Sequence, residues 1–190
     1  MLEQLKSIDT DLFLVINGAH SPFFDFLMFG ASEKWIWIPL YLLFAWLLYK
    51  HYGKRSWILI LLAGLAVTIS DLTAVYLFKN VFLRPRPCHE PLLESVIHLV
   101  NGYCGGKYGF ISSHASNSFA LATFLSLLLG KKIRFFTALI IVWALLLCYS
   151  RVYLGVHYPG DVIVGAIWGA GIGSAVFIST RRRVLPSYQP

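Results

Sequence analysis

Residues 57–78 read WILILLAGLAVTISDLTAVYLF, and residues 79–87 continue with KNVFLRPRP. A helix of about 20 residues crosses the ~30 Å hydrocarbon layer of a bilayer. The first segment therefore predicts a membrane-spanning helix that ends in a cationic, proline-rich sequence. Similar apolar stretches lie at 35–49, 115–129, 133–149 and 162–180. Together they predict an all-α fold, a polytopic transmembrane helix bundle with about five spans.

The composition supports a membrane environment. The chain of 190 residues is 57% hydrophobic and 13% charged, whereas soluble domains are about 25% charged. The net charge of +7 is not typical of a nucleic-acid-binding protein here, because the basic residues lie between apolar stretches and not along one polar face. The bilayer is thus the expected partner, and nucleic acid is not.

The first 31 residues differ from the spans because polar residues interrupt their apolar pattern. Apolar residues recur at helical spacing: Leu2, Leu5, Ile8, Leu12, Val15 and Ile16. The sequence HSP at 20–22 then breaks this pattern, which predicts an N-terminal interfacial helical segment and not a span. We divide the chain into this segment (1–31), a transmembrane domain (32–183) that contains a long polar loop (84–113), and a C-terminal tail (184–190).

Basic residues in the connections indicate the orientation. They form three clusters: Lys50, Lys54 and Arg55; Lys131, Lys132 and Arg134; Arg181, Arg182 and Arg183. Five alternating spans place all three on one side, which the positive-inside rule identifies as cytoplasmic. We therefore expect a multi-pass cell-membrane protein, typical of a bacterial inner membrane, whose loop 84–113 and turn 151–161 face the periplasm or exterior.

Chemistry-bearing residues gather at these outward ends. Lys79 and Arg86 follow the second span. Pro85 and Pro87, on either side of Arg86, stop the helix of that span before the polar loop. The third span begins GFISSHASN, residues 109–117. Ser112 or Ser113 can cap that helix, and its free N–H groups and positive dipole end favour an anion beside His114.

The end of the fourth span supplies three more such residues. The sequence SRVYLGVHYPGD contains Arg151, His157 and Asp161, with a turn at Pro159 and Gly160 predicted before the fifth helix. Asp161 is near enough to His157 in sequence to orient its imidazole ring.

These motifs resemble the phosphatidic acid phosphatase type 2 superfamily, whose pattern is Lys-x6-Arg-Pro, then Pro-Ser-Gly-His, then Ser-Arg-x5-His-x3-Asp. The first and third elements match throughout, at 79–87 and 150–161. In the middle element Ile111 replaces proline and Ser113 replaces glycine, while Ser112 and His114 are kept. The resemblance covers about residues 57–180.

The resemblance implies a role for each matching residue. Phosphate binding is expected from Lys79, Arg86, Arg151, Ser112 and Ser113. The positive charges of the lysine and the two arginines would neutralise a phosphate dianion, helped by the serines and the helix N–H groups. His157 would attack phosphorus and form a phosphohistidine, and Asp161 would hold its tautomer. His114 would protonate the leaving oxygen and then activate water. No metal and no cofactor is expected.

The implied activity is removal of phosphate from a phosphomonoester or diphosphate of a lipid at the extracytoplasmic face. Four substrates stay open: polyprenyl diphosphate, phosphatidylglycerophosphate, phosphatidate and phosphorylated lipid A. A lipid phosphotransferase using the same phosphohistidine is the alternative activity. A non-hydrolytic lipid-phosphate binder is disfavoured by the intact His157 and Asp161, and a soluble vanadate haloperoxidase by the five spans.

The cysteines suggest a covalent link in the polar loop. Cys88 and Cys104 both lie in loop 84–113, whereas Cys148 lies within the fourth span. Outside the cytoplasm a disulfide can persist, so we expect a Cys88–Cys104 bridge, with two unpaired thiols as the alternative.

Two further charged residues have open interpretations. Asp71 lies inside the second span, where a carboxylate costs ~2.5–3.5 kcal/mol on insertion scales. We favour a structural partner within the bundle over a proton or substrate role. Arg84 lies between Lys79 and Arg86 but outside the fixed motif positions, and it suits either an auxiliary phosphate contact or a headgroup anchor.

Overall fold

Each predicted span coincides with a helix in the computed structural model, which describes residues 2–184. The helices are α1 (Leu2–Gly18), α2 (Pro22–Ser32), α3 (Ile38–Tyr52), α4 (Ser56–Thr73), α5 (Asn80–Phe82), α6 (Ser113–Leu129), α7 (Phe136–Tyr153) and α8 (Pro159–Val184). A π-helical turn, Ala74–Lys79, joins α4 to α5. The predicted tail lies outside the described residues except for Val184, as do the side chains of Leu2, Arg182 and Arg183.

The all-α membrane bundle is confirmed. By length and composition, three helical runs within the described part of the chain can cross a membrane: Lys34–Phe82, Phe136–Tyr153 and Pro159–Arg181. The first run turns at Gly53, whose φ of 54° is one that glycine adopts readily. Its two limbs, α3 and α4, share one hydrophobic core with α6 and α7. The predicted spans thus correspond to α3, α4, α6, α7 and α8, and the number that cross is approximate.

The N-terminal segment breaks where the sequence predicts. α1 and α2 meet at an angle of 115°, with Ser21 as the cap of α2 and Pro22 in its first turn. Asn17, on the bundle side of α1, donates hydrogen bonds of 2.8 Å to the carbonyl oxygens of His98 and Tyr153. The pair can also be one broken span, so the interfacial location and the division at residue 31 stay predictions.

A stripe of glycines brings α8 against α6. A Cβ added at Gly165 would lie 2.7 Å from the Ser112 carbonyl oxygen, and one at Gly169 would overlap the Ser116 carbonyl. Gly173 meets Ala120 in the same way. These three glycines allow the two helices to pack closely, whereas a Cβ at Gly171 meets nothing within 4 Å.

The two ends of the bundle differ in character. The Tyr52 hydroxyl donates to the Leu128 carbonyl at 2.6 Å, and the Lys132 ammonium lies 5.1 Å from the Tyr52 ring. The first two basic clusters therefore share one end. The predicted phosphate-binding and catalytic residues lie at the opposite end, where the π-helical turn and α7 finish and α6 and α8 begin.

The glycine stripe gives a prediction with a matched control. We expect Gly169→Ala to destabilise the protein by roughly 1–3 kcal/mol, because the new methyl group forces α6 and α8 apart. Gly171→Ala should leave stability unchanged or raise it slightly, since alanine favours the helix and its methyl meets open space. Thermal unfolding in detergent compares the two, and equal melting temperatures would contradict the packing role.

Candidate active site

The candidate site surrounds a buried histidine and aspartate at the start of α8. His157 and Asp161 are 1% and 0% exposed, and the His157 Nδ1 lies 3.4 Å from the Asp161 Oδ2. Asp161 lies in the first turn of α8, because Pro159 and Gly160 belong to the helix. The predicted turn before the fifth helix is therefore wrong by a few residues. The predicted orientation of the His157 ring by Asp161 fits this geometry.

Arg86 fixes the other side of the imidazole. Its Nη1 lies 2.9 Å from the His157 Nε2 and donates to the Val156 carbonyl at 3.0 Å. Because a guanidinium can only donate, the Nε2 accepts and the ring proton lies on Nδ1, facing Asp161. The unprotonated Nε2 therefore points towards the cations.

Three cationic side chains converge here from separate elements. Lys79 ends the π-helical turn and donates to the Ser113 hydroxyl at 2.8 Å. Arg86 comes from the loop, where its Nε donates to the Gly106 carbonyl at 2.6 Å. Arg151 comes from the last turn of α7, is 5% exposed, and has a buried Nε without a hydrogen-bond partner among the described residues. A buried N–H donor without a partner is costly, and an anion would satisfy it.

Burial and charge keep His157 neutral. Burial lowers the pKa of His157 well below its usual value, and the positive charges of Arg86, Arg151 and Lys79 lower it further. The imidazole is thus unprotonated at neutral pH and keeps a lone pair on Nε2. Burial also lowers the pKa of Arg86, although a guanidinium stays charged at neutral pH.

The two serines of the middle motif have different positions. Ser112 is fully buried and caps α6, with its hydroxyl 3.5 Å from the Ala115 N–H. Its own N–H donates to the Asp161 carbonyl at 2.9 Å. Ser113 instead meets Lys79, so it is the serine whose hydroxyl lies among the cations. His114 follows at the start of α6 and lines an adjoining cavity of about 660 Å³.

Arg84 and Asp9 form a second ion-pair layer that the sequence did not reveal. Arg84 pairs with Asp161 at 3.0 Å and with Asp9 at 2.7 Å. Asp9 also accepts from the Gly160 N–H at 2.7 Å. Arg84 therefore supports the carboxylate behind His157, and neither interpretation made from the sequence anticipated this contact. The buried Phe13 and Asn17 follow Asp9 at four-residue spacing on α1. This spacing was the sequence signal that Asp9 lies on the face of α1 that packs on the bundle.

The polar loop closes around Arg86 through several contacts. Cys88 and Cys104 form a disulfide with a Cα separation of 5.8 Å. The Arg86 N–H donates to the Lys107 carbonyl at 3.1 Å. A Cβ at Gly109 would come within 3.1 Å of both Asp161 and Arg86, so this close approach requires glycine. Among residues 2–184, the one group spaced for metal binding is Cys88, His89 and Cys104, and the disulfide occupies both of its sulfur atoms.

Buried cations around a neutral histidine, at the ends of membrane helices, define a membrane protein with an anion site at one end of its helix bundle. The comparison with family models agrees with this class. The chain belongs to the PAP2 superfamily, whose model matches residues 56–185.

Two relatives and two solved structures show how far the likeness extends. A lipid A 4'-phosphatase of Bacteroides thetaiotaomicron is 41% identical over 93% of this chain and 78% of its own length. The lipid A 4'-phosphatase of Porphyromonas gingivalis is 36% identical over 93% of this chain and 74% of its own length. The Aquifex aeolicus LpxE structure has a TM-score of 0.64 at 28% identity and covers 89% of this chain and 94% of its own. The structure of a Bacillus subtilis phosphatidylglycerolphosphate phosphatase has a TM-score of 0.68 at 21% identity. It covers 95% of this chain and 88% of its own, and it supports the fold alone.

The disulfide should stabilise both the fold and the site. For a loop of about 15 residues the chain-entropy model gives roughly 3 kcal/mol. We expect a Cys88→Ala/Cys104→Ala variant to melt at a lower temperature and to lose activity, because Arg86 lies two residues from the bridge. Cys148→Ala is the control, because it removes the buried free thiol of α7 and leaves the disulfide and the polar loop intact. Unchanged melting and turnover in the double variant would contradict this role.

The second ion-pair layer gives a separate prediction. Arg84→Gln should lower kcat by roughly ten- to hundredfold, the usual weight of a charge-assisted hydrogen bond, with a smaller change in KM. Asp9→Asn should lower kcat less, because Arg84 keeps its bond to Asp161. Arg134→Gln, at the opposite end of the bundle, is the control. If Arg84→Gln raised KM alone, Arg84 would be a substrate anchor and not a support for Asp161.

Proposed function

We propose that this chain removes the 4'-phosphate of lipid A at the extracytoplasmic face, through a phosphohistidine on His157. The broader activity, hydrolysis of a lipid phosphate by a membrane phosphatase, is supported by membership of the PAP2 superfamily and by the lipid A 4'-phosphatase relatives. Their likeness spans most of both chains and favours lipid A among the four substrates that the sequence leaves open.

The observation that carries the proposal is the excess of buried positive charge beside the His157 Nε2. The positive charges of Lys79, Arg86 and Arg151 all act on His157, and the buried carboxylate beside it, Asp161, is already paired with Arg84. A phosphate dianion in this position neutralises two of the charges and supplies an acceptor for the unpartnered Arg151 Nε. A neutral ligand could supply an acceptor but would leave the positive charge uncompensated, and a cationic ligand would add to it.

The first chemical step follows from the orientation of the imidazole. The phosphate draws the Arg86 guanidinium from Nε2 to its own oxygens, which frees the lone pair for attack. The Nε2–P bond forms as the bond between phosphorus and the sugar oxygen breaks, and the Nδ1 proton stays between His157 and Asp161. Negative charge on the bound phosphate favours the imidazolium form of His114, which gives its proton to the leaving sugar oxygen.

The second step reverses these roles. His114, now neutral, takes a proton from a water molecule as the water oxygen attacks phosphorus. The P–N bond breaks, its electron pair returns to the His157 Nε2, and inorganic phosphate leaves. Three fixed cations supply the charge stabilisation that a divalent metal gives in other phosphatases.

The proposed face of the membrane rests on the two ends of the bundle. The clusters that contain Lys54 and Lys132 lie at the end away from His157, and basic connections are retained in the cytoplasm. The active site then opens to the periplasm or exterior, where the Cys88–Cys104 disulfide can persist.

The decisive test is phosphate release from lipid A by the purified protein in detergent that contains EDTA. We expect inorganic phosphate and a product that mass spectrometry identifies as lacking the 4'-phosphate and retaining the 1-phosphate. Phosphatidate and phosphatidylglycerophosphate serve as competing substrates. Preferential hydrolysis of either glycerolipid would overturn the lipid A assignment, and a phosphorylated acceptor in place of inorganic phosphate would make the protein a transferase.

Variants of the two histidines separate the proposed steps. His157→Ala should abolish turnover and phosphoenzyme together, because the nucleophile is gone. His114→Ala should still form phosphoenzyme from substrates with good leaving groups, since protonation matters least when the leaving oxygen is a weak base. Labelling with ³²P and an alkaline denaturing quench, which preserves the acid-labile P–N bond, detects the intermediate. A His114→Ala defect that is independent of leaving-group pKa would exclude the general-acid role.

A further inference from the structure

A cavity of about 660 Å³ runs from the active site into the bundle between α3, α4, α6 and α7. Ser113 and His114 line it at the site end, and apolar residues line the remainder, among them Leu48, Leu121 and Leu125. Its volume lies within the range of ligand-binding cavities. The cavity thus borders the phosphate site through Ser113 and His114 and has the apolar walls that an acyl chain needs.

One polar pair interrupts the apolar wall. Asp71 of α4 accepts a hydrogen bond from the Asn117 Nδ2 of α6 at 3.0 Å, and both side chains line the cavity. Asn117 is the one hydrogen-bond partner of the Asp71 side chain among residues 2–184. The Asn117 Oδ1 is buried without a partner in the same part of the chain. A carboxylate offers about four acceptor positions, so this pair does not complete its hydrogen bonding within the bundle.

The pair lies at a defined depth from the phosphate site. Asn117 follows Ser113 by four residues on α6, which is about 6 Å along a helix. Ser113 itself contacts Lys79. A group bound by Asp71 is therefore separated from the phosphate by at least roughly four to five covalent bonds, which is enough to reach an amide nitrogen on the phosphorylated sugar; a hydroxyl on the attached chain lies a few bonds further along.

We propose that Asp71 and Asn117 recognise a hydrogen-bond donor, a hydroxyl or an amide N–H, on an acyl chain that occupies this cavity. The inference deepens the proposed function, because the chain belongs to the same lipid whose phosphate is removed. An unsubstituted, ester-linked chain offers no donor and leaves the carboxylate facing CH₂ groups, whereas a donor satisfies it. Acylated glucosamine lipids carry such donors, and phosphatidate chains do not, so the pair discriminates between these substrate classes.

Three synthetic substrates test the proposal with the full chain in detergent micelles. Each is an acylated glucosamine 4-phosphate: one has amide-linked and hydroxylated chains, one lacks the chain hydroxyls, and one also replaces the amide by an ester. We expect loss of the recognised donor to lower kcat/KM for phosphate release by roughly ten- to hundredfold. A loss between the first and second substrates identifies the hydroxyl as the recognised donor, and a loss between the second and third identifies the amide N–H.

Variants then assign the discrimination to the pair. Asp71→Ala should bring the kcat/KM ratio between substrates close to one, and Asp71→Asn, which keeps an acceptor oxygen, should retain part of the preference. Leu121→Ala is the matched control, because it enlarges the same cavity and should lower kcat/KM equally for all three substrates.

Two results would overturn the inference while the proposed function stands: equal kcat/KM for all substrates with the unmodified protein, or an equal loss for all substrates in Asp71→Ala. The second result would mean that Asp71 is purely structural. If Asp71→Ala does not fold, the substrate series and Asp71→Asn still decide. Failure of the unmodified protein to hydrolyse any sugar phosphate, with phosphatidate hydrolysed, would refute the lipid A assignment and this inference together.

Discussion

The site depends on the close approach of α6 and α8. The Ser112 N–H donates to the Asp161 carbonyl at 2.9 Å, and this backbone contact requires Gly165, where a Cβ would lie 2.7 Å from the Ser112 carbonyl oxygen. It brings the amino terminus of α6, an anion site by its dipole, beside the histidine and aspartate that begin α8. Glycine costs a helix about 1 kcal/mol relative to alanine, a cost offset here by packing that a larger residue would prevent.

The same contact makes the site electrostatically unbalanced. Lys79, Arg86 and Arg151 are brought together with His157, whose pKa their charges lower, while Asp161 is already paired with Arg84. Buried like charges repel one another strongly because the surroundings screen them poorly. The polar loop holds Arg86 against this repulsion through the carbonyl groups of Gly106 and Val156. The phosphate dianion of the proposed function would remove this repulsion when it binds.

The sequence predicted the helices, and it predicted which charged residues lie at span ends, because both depend on local patterns. Apolar length marks a span wherever it occurs, and the motif spacings place Lys79, Arg151 and His157 at span ends. The partners of Arg84 could not be predicted in this way, since Asp9 is 75 residues distant in sequence and the contact depends on how α1 packs. The distinct positions of Ser112 and Ser113 likewise follow from where α6 begins, which the apolar pattern does not determine to a single residue.

The N-terminal helix shows why hydrophobic periodicity misleads in a membrane protein. In a soluble protein the apolar face of a helix packs on the core. The apolar face of α1 is instead exposed, with Ile8 at 55% and Val15 at 71%, as expected for a helix that contacts lipid. Asn17 turns inward and binds two backbone carbonyls, and Asp9 reaches Arg84 and the Gly160 N–H. Polar contacts therefore contribute to holding α1 on the bundle, and through Asp9 they connect the first helix of the chain to the carboxylate that orients His157.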